Sequence, residues 1–456
     1  MTARMREHHV VATSSGAPVL IYDVERTLVF AVDTPSDDDA ATLKDCLAAN
    51  ELVTSAAEPP PFIPAASYAV DHVSLDISGT CNMACTYCFE DDIGARQGKM
   101  SPETLAQTVE TIFGAAGAGR HIAVDFASGE PLTAFPFLEE AVGTIERKAS
   151  TGGRRVSFGL TTNATLVSAK IADFLADHAF KVKVSFDGPP EIHNVNRPML
   201  GGQESYQRVM HGLDLLSKRL PRNALTVNTV VHPDAALGWL WDWVKTLPVG
   251  IWVTVPVGER ASPLSQASIE RRRRDLERIA DEIACAVERG TAIVAYDSLT
   301  KVVRKLAVPA PTARFCGAGG SFLGVRSDGR VYPCLRQLGL EEHRLGDVAG
   351  GLDDHLRARY VDEYLQPVDR RSGCRACWAR YLCGGGCYAD SIVYGDDSAA
   401  PLGSHCPFFR LEIETAIRLF DRLRTSAPMA IVDLFGAQAR PVVEQRLTLA
   451  EVVACA

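Results

Sequence analysis

Three cysteines fall within eight residues in the run Cys81-Asn82-Met83-Ala84-Cys85-Thr86-Tyr87-Cys88. Thiolates hold iron–sulfur clusters, and three at this spacing reach three irons of one cubane, leaving the fourth open. A small molecule can coordinate directly at an open iron, whereas a fully ligated cluster only passes electrons. A structural zinc ion would call for four ligands at Cys-x2-Cys type spacings, and the 3-then-2 spacing here is a poor match. A second group follows far downstream: Cys316, Cys334, then Cys374-x2-Cys377-x5-Cys383-x3-Cys387, and finally Cys406. Thirteen cysteines in all, odd in number and clustered, read as metal ligands before disulfides in a reducing compartment. Cys46, Cys285 and Cys455 stand apart in helical or apolar stretches and read as buried bystander thiols.

The elements that must position these thiols follow from the hydrophobic pattern. Strands are expected at 72–77, 121–127, 154–160, 181–186, 225–231 and 250–256, and helices at 101–116, 134–149, 168–178, 203–219, 235–246 and 266–289. Ser101-Pro102-Glu103 is a sound helix start, with a capping hydroxyl, a proline at the first position and an acid at the positive end of the dipole. Repeated βα units imply a parallel sheet, barrel-like or doubly wound, with ligands at the carboxyl ends of its strands. Cys81 follows the first of these strands. Beyond about residue 310 the alternation stops and glycine and cysteine become dense, as in a domain stabilised by metal. Residues 407–425 read as a closing helix, and the apolar tail 427–456 has no assigned place.

At the other end, 18–24 and 27–33 read as two strands around a polar turn, with a helix over 37–49 and a stiff proline-rich linker at 57–64. The expected divisions are 1–70, a small module and linker; 71–300, the βα core; 301–410, the cysteine-rich part; and 411–456, a helix and tail.

A net charge of −9 argues against a nucleic-acid partner. The one basic block, Arg271-Arg272-Arg273-Arg274, reads as a solvated helix face. No apolar run is long enough to span a membrane, and no apolar signal segment follows the basic start. A cytoplasmic protein without a membrane partner is expected.

Cys81-x3-Cys85-x-Tyr87-Cys88 after a first strand resembles the hallmark of the radical S-adenosylmethionine (SAM) family. The resemblance implies a partial (β/α)6 barrel whose open iron chelates SAM. One electron then splits SAM and yields a 5′-deoxyadenosyl radical. Ser128-Gly129-Glu130-Pro131 resembles the family's Gly-Gly-Glu-Pro, which contacts the SAM amino group, with serine in place of the first glycine. Asn163, in Thr161-Thr162-Asn163, and Ser185, in Ser185-Phe186-Asp187-Gly188, lie in segments that resemble other SAM contacts. Arg197 is expected to fork onto the SAM carboxylate.

The downstream cysteines, with Gly329 between the first two, resemble the SPASM extension of radical SAM enzymes that modify peptides and proteins. That resemblance implies an inner auxiliary cluster on Cys316, Cys334 and Cys387. It places an outer one on Cys374, Cys377, Cys383 and Cys406, for three [4Fe-4S] clusters in all. Many relatives supply a fourth inner cysteine between the first two, but residues 317–333 contain none. The inner cluster then has an open iron, able to take a substrate thiolate, or a non-cysteine ligand.

Sulfatase-activating relatives carry an aspartate right after the second SPASM cysteine; here it is Leu335. Tyr22-Asp23-Val24 and Phe30-Ala31-Val32-Asp33 resemble the leader-binding front end of thioether-forming maturases. The expected function is thus a maturase that joins a cysteine sulfur to a carbon of a precursor peptide or small protein subunit. A reductant such as flavodoxin or ferredoxin would serve it. Carbon–carbon (cyclophane) crosslinking, epimerisation with Cys285 as hydrogen donor, formylglycine formation and a non-catalytic electron carrier are the alternatives.

Overall fold

The computed structural model describes residues 3–4, 7–11, 18–32, 34, 37–49, 53–54, 69–117, 121–232, 235–247, 249–254, 265–291, 295–395, 397 and 399–443. The expected linker at 57–64, Cys455 and the tail from 444 lie outside the described residues.

The N-terminal hairpin forms as its alternation predicts, between β2 (Val19–Asp23) and β3 (Leu28–Val32). Asp23 closes its turn by accepting from the Arg26 backbone at 3.1 Å and from its guanidinium at 2.6 Å. A strand the sequence reading lacks, β1 (His8–Val11), pairs with β2, so the sheet has three strands. Its four residues, two of them histidine, are too short and polar a run to read as a strand. The helix α1 (Asp37–Ala49) sets Leu43 and Cys46 against Ile21, Phe30 and Val32.

Six parallel strands follow in sequence order: β4 (His72–Leu75), β5 (Ile122–Phe126), β6 (Val156–Thr162), β7 (Lys181–Ser185), β8 (Leu225–Val230) and β9 (Gly250–Thr254). Each matches an expected strand within two residues. Between and after them run α2 (Pro102–Ala115), α3 (Phe135–Thr151), α4 (Ala169–Asp177), α5 (Tyr206–Ser217), α6 (Gly238–Val244) and α7 (Gln266–Glu288). Ser101 caps α2, its Oγ accepting from Thr104 N at 3.0 Å. Ile122, Val124 and Phe126 are buried while Ala123 and Asp125 between them are only half-buried. That period of two puts apolar residues against the helices and leaves Asp125, Thr161, Lys183 and Asn228 on the opposite, concave face. The architecture is α/β, an open (β/α)6 half-barrel.

The cysteine-rich part continues this sheet rather than standing apart. The strand β10 (Phe322–Val325) pairs in parallel with β4, from Phe322 opposite His72 to Val325 opposite Leu75. Three short antiparallel strands, β11 (Arg330–Tyr332), β12 (Gly346–Asp347) and β13 (Gly351–Leu352), bring the sheet to ten. The helices α8 (Asp297–Ala307) and α10 (Cys406–Ser426) run across the expected divisions at 300/301 and 410/411, with α9 (Asp354–Tyr364) between them. Part of the tail folds as a helix, Pro428–Phe435.

The arginine block is not a uniformly solvated face. Arg272 is buried with its guanidinium 5.0 Å over the Phe408 ring, and Arg273 reaches Glu414 at 3.3 Å. Because α10 packs along α7, two of the four side chains face protein. The N-terminal sheet docks on the same region. The His9 ring stacks on Trp378 at 3.7 Å, Glu7 pairs with Arg380 at 2.5 Å, and Arg424 donates to the Val29 carbonyl at 2.6 Å. Among the described residues no helix is long and apolar enough to cross a membrane.

Candidate functional site

The loop after β4 carries Cys81, Cys85 and Cys88, and its backbone is tied to a second segment of the protein. Its backbone pairs with the segment 196–200: Ala84 N donates to Pro198 O, Thr86 N to Asn196 O and Leu200 N to Asn82 O, each at 2.9 Å. The same segment delivers Arg197, whose Nε lies 3.0 Å from Asp187 Oδ2 and whose guanidinium stacks 5.1 Å over the Tyr87 ring. Tyr87 also donates to Asp187. Burial works against the Arg197 cation, but Asp187 holds its pKa well above the usual value. Arg197, expected to fork onto the SAM carboxylate, is therefore engaged first with Asp187. Asp187 is a structural anchor that also accepts from Val230 N at 3.1 Å.

The second strand's loop is held from both sides. Gly129 has φ +56°, and a Cβ there would lie 2.2 Å from the Thr80 carbonyl, so only glycine fits. Glu90, buried just past Cys88, accepts from Gly129 N at 2.8 and 3.0 Å. Ser128 sits at φ +81°, the left-handed region that a glycine would occupy without strain. Glu130 is fully buried and accepts from Thr162 Oγ1 at 2.7 Å, Asn163 N at 2.6 Å and Leu132 N at 3.0 Å. Asn163 bonds in turn to Asn82 in the cysteine loop at 2.8 Å. Ser185 lies at the carboxyl end of β7, half-buried beside this group. Sequence reasoning missed Glu90, Asn82 and Tyr87–Asp187 as the loop's braces. The acid two residues past Cys88 was the available signal.

Burial pushes Glu130 up to about 7 against its three hydrogen bonds. A buried carboxyl so placed is relieved by a cation, and an ammonium group fits it. The thiols fit iron for a similar reason. Burial pushes Cys81 and Cys334 up to about 12 and Cys374 up to about 11. Thiolates there need a metal to hold them deprotonated. Several sulfurs already accept a backbone N–H: Cys81 from Met83, Cys88 from Glu90, Cys316 from Ala318, Cys334 from Arg336 and Cys387 from Asp390. Such donors favour thiolate over thiol.

The downstream thiols fall into two neighbourhoods. Cys374, Cys377, Cys383 and Cys406 line one cavity with Cys387 at its wall, and after burial the neighbouring Cys377 and Cys406 push the Cys374 and Cys383 thiols further up. Cys334 instead interacts with Cys316 and Cys387. Between Cys383 and Cys387 the glycines 384, 385 and 386 have φ +80°, +94° and +75°. This left-handed run turns two N–H groups onto Cys383. Among the described residues no three His, Cys, Asp or Glu side chains are grouped to hold a single metal ion, a different arrangement from a cubane's spread thiolates. Cys285 lies apart from these groups, on α7, where its Sγ accepts from Arg422 of α10 at 3.2 Å.

Residues 75–247 match the Radical SAM superfamily. The chain carries a radical SAM domain. It is 27% identical over 359 residues to a cysteine-type anaerobic sulfatase-maturating enzyme of Clostridium perfringens, covering 74% of this chain and 94% of that one. In fold it resembles native anSMEcpe with bound AdoMet, with a TM-score of 0.64 at 22% identity over 78% of this chain and 99% of the other. It also resembles Streptococcus suis SuiB bound to its precursor peptide SuiA, with a TM-score of 0.51 at 15% identity over 81% and 82%. The radical SAM match begins at the last residue of β4 and ends just past α6, so it contains every loop described above up to Arg197.

Proposed function

We propose that this radical SAM protein is a maturase that installs a crosslink in a peptide or protein substrate, joining a cysteine sulfur to carbon. The observation that carries the reading is the braced three-thiol loop beside a buried carboxyl, together with two further thiol groups in the part of the chain that extends the same sheet. Cys81, Cys85 and Cys88 would hold the SAM-binding cluster. Cys316, Cys334 and Cys387 would hold an inner auxiliary cluster, and Cys374, Cys377, Cys383 and Cys406 an outer one. When bound, the first cluster supplies the electron that cleaves SAM, and the auxiliary pair accepts the electron left over.

The chain's own residues do the positioning. Glu130 faces the SAM ammonium, with Asn163 and Ser185 around the rest of the molecule. Arg197, neutralised by Asp187, keeps its remaining N–H groups for the SAM carboxylate. The concave polar face, where His72 meets Asp125 at 2.7 Å, receives the substrate chain. For the crosslink to balance, the carbon's hydrogen would go to the deoxyadenosyl group, the thiol proton to solvent and one electron to an auxiliary cluster held by the downstream cysteines. An electron carrier such as flavodoxin or ferredoxin would feed the first step. The N-terminal sheet offers its β3 edge to an extended leader peptide. That peptide would share the edge with Arg424, since β1 covers the other side of the hairpin.

Formylglycine formation is the second reading, favoured by the sulfatase-maturating relatives. Against it stands Leu335, which packs with Ile93, Tyr332 and Leu338 and leaves no proton acceptor at that position. Replacing Cys81, Cys85 and Cys88 with alanine should remove about four irons and all SAM cleavage, and retained cleavage would refute the site. The mass of a processed cysteine-bearing peptide separates the two chemistries. A thioether keeps sulfur and loses two hydrogens, whereas formylglycine made from cysteine loses the sulfur.

A further inference from the structure

The inner group has three cysteines where a cubane has four irons, and no cysteine lies in 317–333. What this chain offers instead is a buried amide. Gln337 is three residues past Cys334, in the turn Leu335–Gln337, and its N–H donates to the Cys334 carbonyl at 3.1 Å. Its side chain is fully buried, with Nε2 donating to Tyr360 Oη at 2.9 Å and Oε1 having no hydrogen-bond partner. Turning the amide over would give Oε1 the phenol as donor but strand the NH2 group. One end of this amide is orphaned either way unless something else meets it.

The surroundings say what meets it. The Tyr360 ring packs on Gly319, where a Cβ would lie 2.6 Å from Cδ1. Gly319 N donates to the Pro333 carbonyl at 3.1 Å, so the ring sits where the segments carrying Cys316 and Cys334 meet. Burial raises the Tyr360 pKa well above its usual value, and all three inner thiols push the same way. Gln337, three residues past Cys334 and bonded to Tyr360, therefore lies beside the junction of the segments that carry Cys316 and Cys334.

We infer that Gln337, through its amide oxygen, is the fourth ligand of the inner auxiliary cluster, with Tyr360 holding the amide in place. The inference rests on the assignment of Cys316, Cys334 and Cys387 to one cluster. An amide oxygen is a hard ligand on an iron that favours soft sulfur. It guards the iron from adventitious ligands yet yields to a thiolate.

The test uses full-length protein in the Cys81→Ala/Cys85→Ala/Cys88→Ala background, so that only auxiliary clusters remain. Iron content and the reduced-state electron paramagnetic resonance spectrum are recorded with and without cyanide. With Gln337 intact, cyanide should leave the spectrum unchanged up to a concentration at least about tenfold above that which shifts it in Gln337→Ala. Gln337→Cys should give a spectrum insensitive to cyanide and shifted from the parent by the added thiolate. Gln337→Glu retains an oxygen ligand and keeps the test informative where the alanine variant assembles poorly; it should remain protected and lose no iron. Equal cyanide response in the parent and Gln337→Ala, or an unshifted spectrum in Gln337→Cys, would overturn the inference. An auxiliary iron content unaffected by replacing Cys316, Cys334 and Cys387 would instead overturn the cluster assignment beneath it.

Discussion

The loop at 81–88 and the segment at 374–406 both carry cysteines proposed to hold iron, yet the turns between those cysteines are built differently. The first is held by protein. Glu90, Asn82, Tyr87, Asp187 and Arg197 brace it, and a backbone ladder to 196–200 fixes its course. The second is tied at its flanks, by Tyr381 to Asp369, Tyr388 to the Gln366 carbonyl and Arg336 to Asp390. The turn between its thiols is a run of three left-handed glycines, reached by Arg371, which is buried and donates to Gly385 O, Ser391 Oγ and Ala400 O. A site that must accept and release a small molecule needs a fixed shape without it. A site that only passes electrons can take its shape from the cluster it keeps.

Removing iron should expose this difference most strongly. Chelation under reducing conditions should abolish amide protection across 374–406, while the β4–β9 amides stay protected in hydrogen-exchange mass spectrometry. Equal loss in both regions would mean that the half-barrel also depends on metal.

Breaking one brace of the first loop comes next. Asp187→Asn leaves Arg197 buried without its counter-charge, which costs about 3–5 kcal/mol. The unfolding midpoint of the apo-protein should fall accordingly. The matching double variant, Asp187→Asn with Arg197→Met, should recover much of the loss. No recovery would place the damage in Val230 and Tyr87 rather than in the ion pair.

Glu130 sharpens the comparison in a different way, because its carboxyl is the group proposed to meet SAM. Its pKa is raised from about 4.3 unfolded to about 7 folded. The folded state thus binds the proton more tightly, so this contribution to stability is full below about pH 4 and is lost as pH rises toward 7. SAM, bringing an ammonium, favours the carboxylate, so its affinity should rise over the same window. Glu130→Gln should flatten that dependence and weaken SAM by about 1.5–3 kcal/mol, with iron content unchanged. An unaltered affinity would remove Glu130 from the SAM site.

Much of this was legible in the sequence, for a physical reason. Strands and helices between 72 and 289 announce themselves by period, and cysteine spacing is short-range. What stayed hidden depends on distant pairings. β1 shows only through its pairing with β2, and β10 is four residues whose strand character comes from lying beside β4. Arg272 reads as surface until α10 is laid over it. Arg197 reads as a SAM contact from the sequence, but its pairing with Asp187 shows only in the fold.

Ser128 is the smallest and cleanest probe, because it isolates one backbone conformation. At φ +81° its Cβ is strained, whereas Gly129 beside it, at φ +56°, has no alternative. A non-glycine residue in the left-handed region costs of order 1 kcal/mol, so Ser128→Gly should stabilise the folded protein. Glycine also gains entropy in the unfolded chain, which takes back part of that. The net expectation is a gain below about 1 kcal/mol, read as a small rise in denaturant midpoint without change in iron content. Ser128 is 8% exposed, so a hydroxyl that touched SAM would be lost together with the strain. Stability rising while SAM affinity falls would make Ser128 a ligand contact that outweighs its backbone cost. Stability and affinity both unchanged would mean that the loop relaxes freely and that Glu90 and Glu130, not the residue at 128, set its shape.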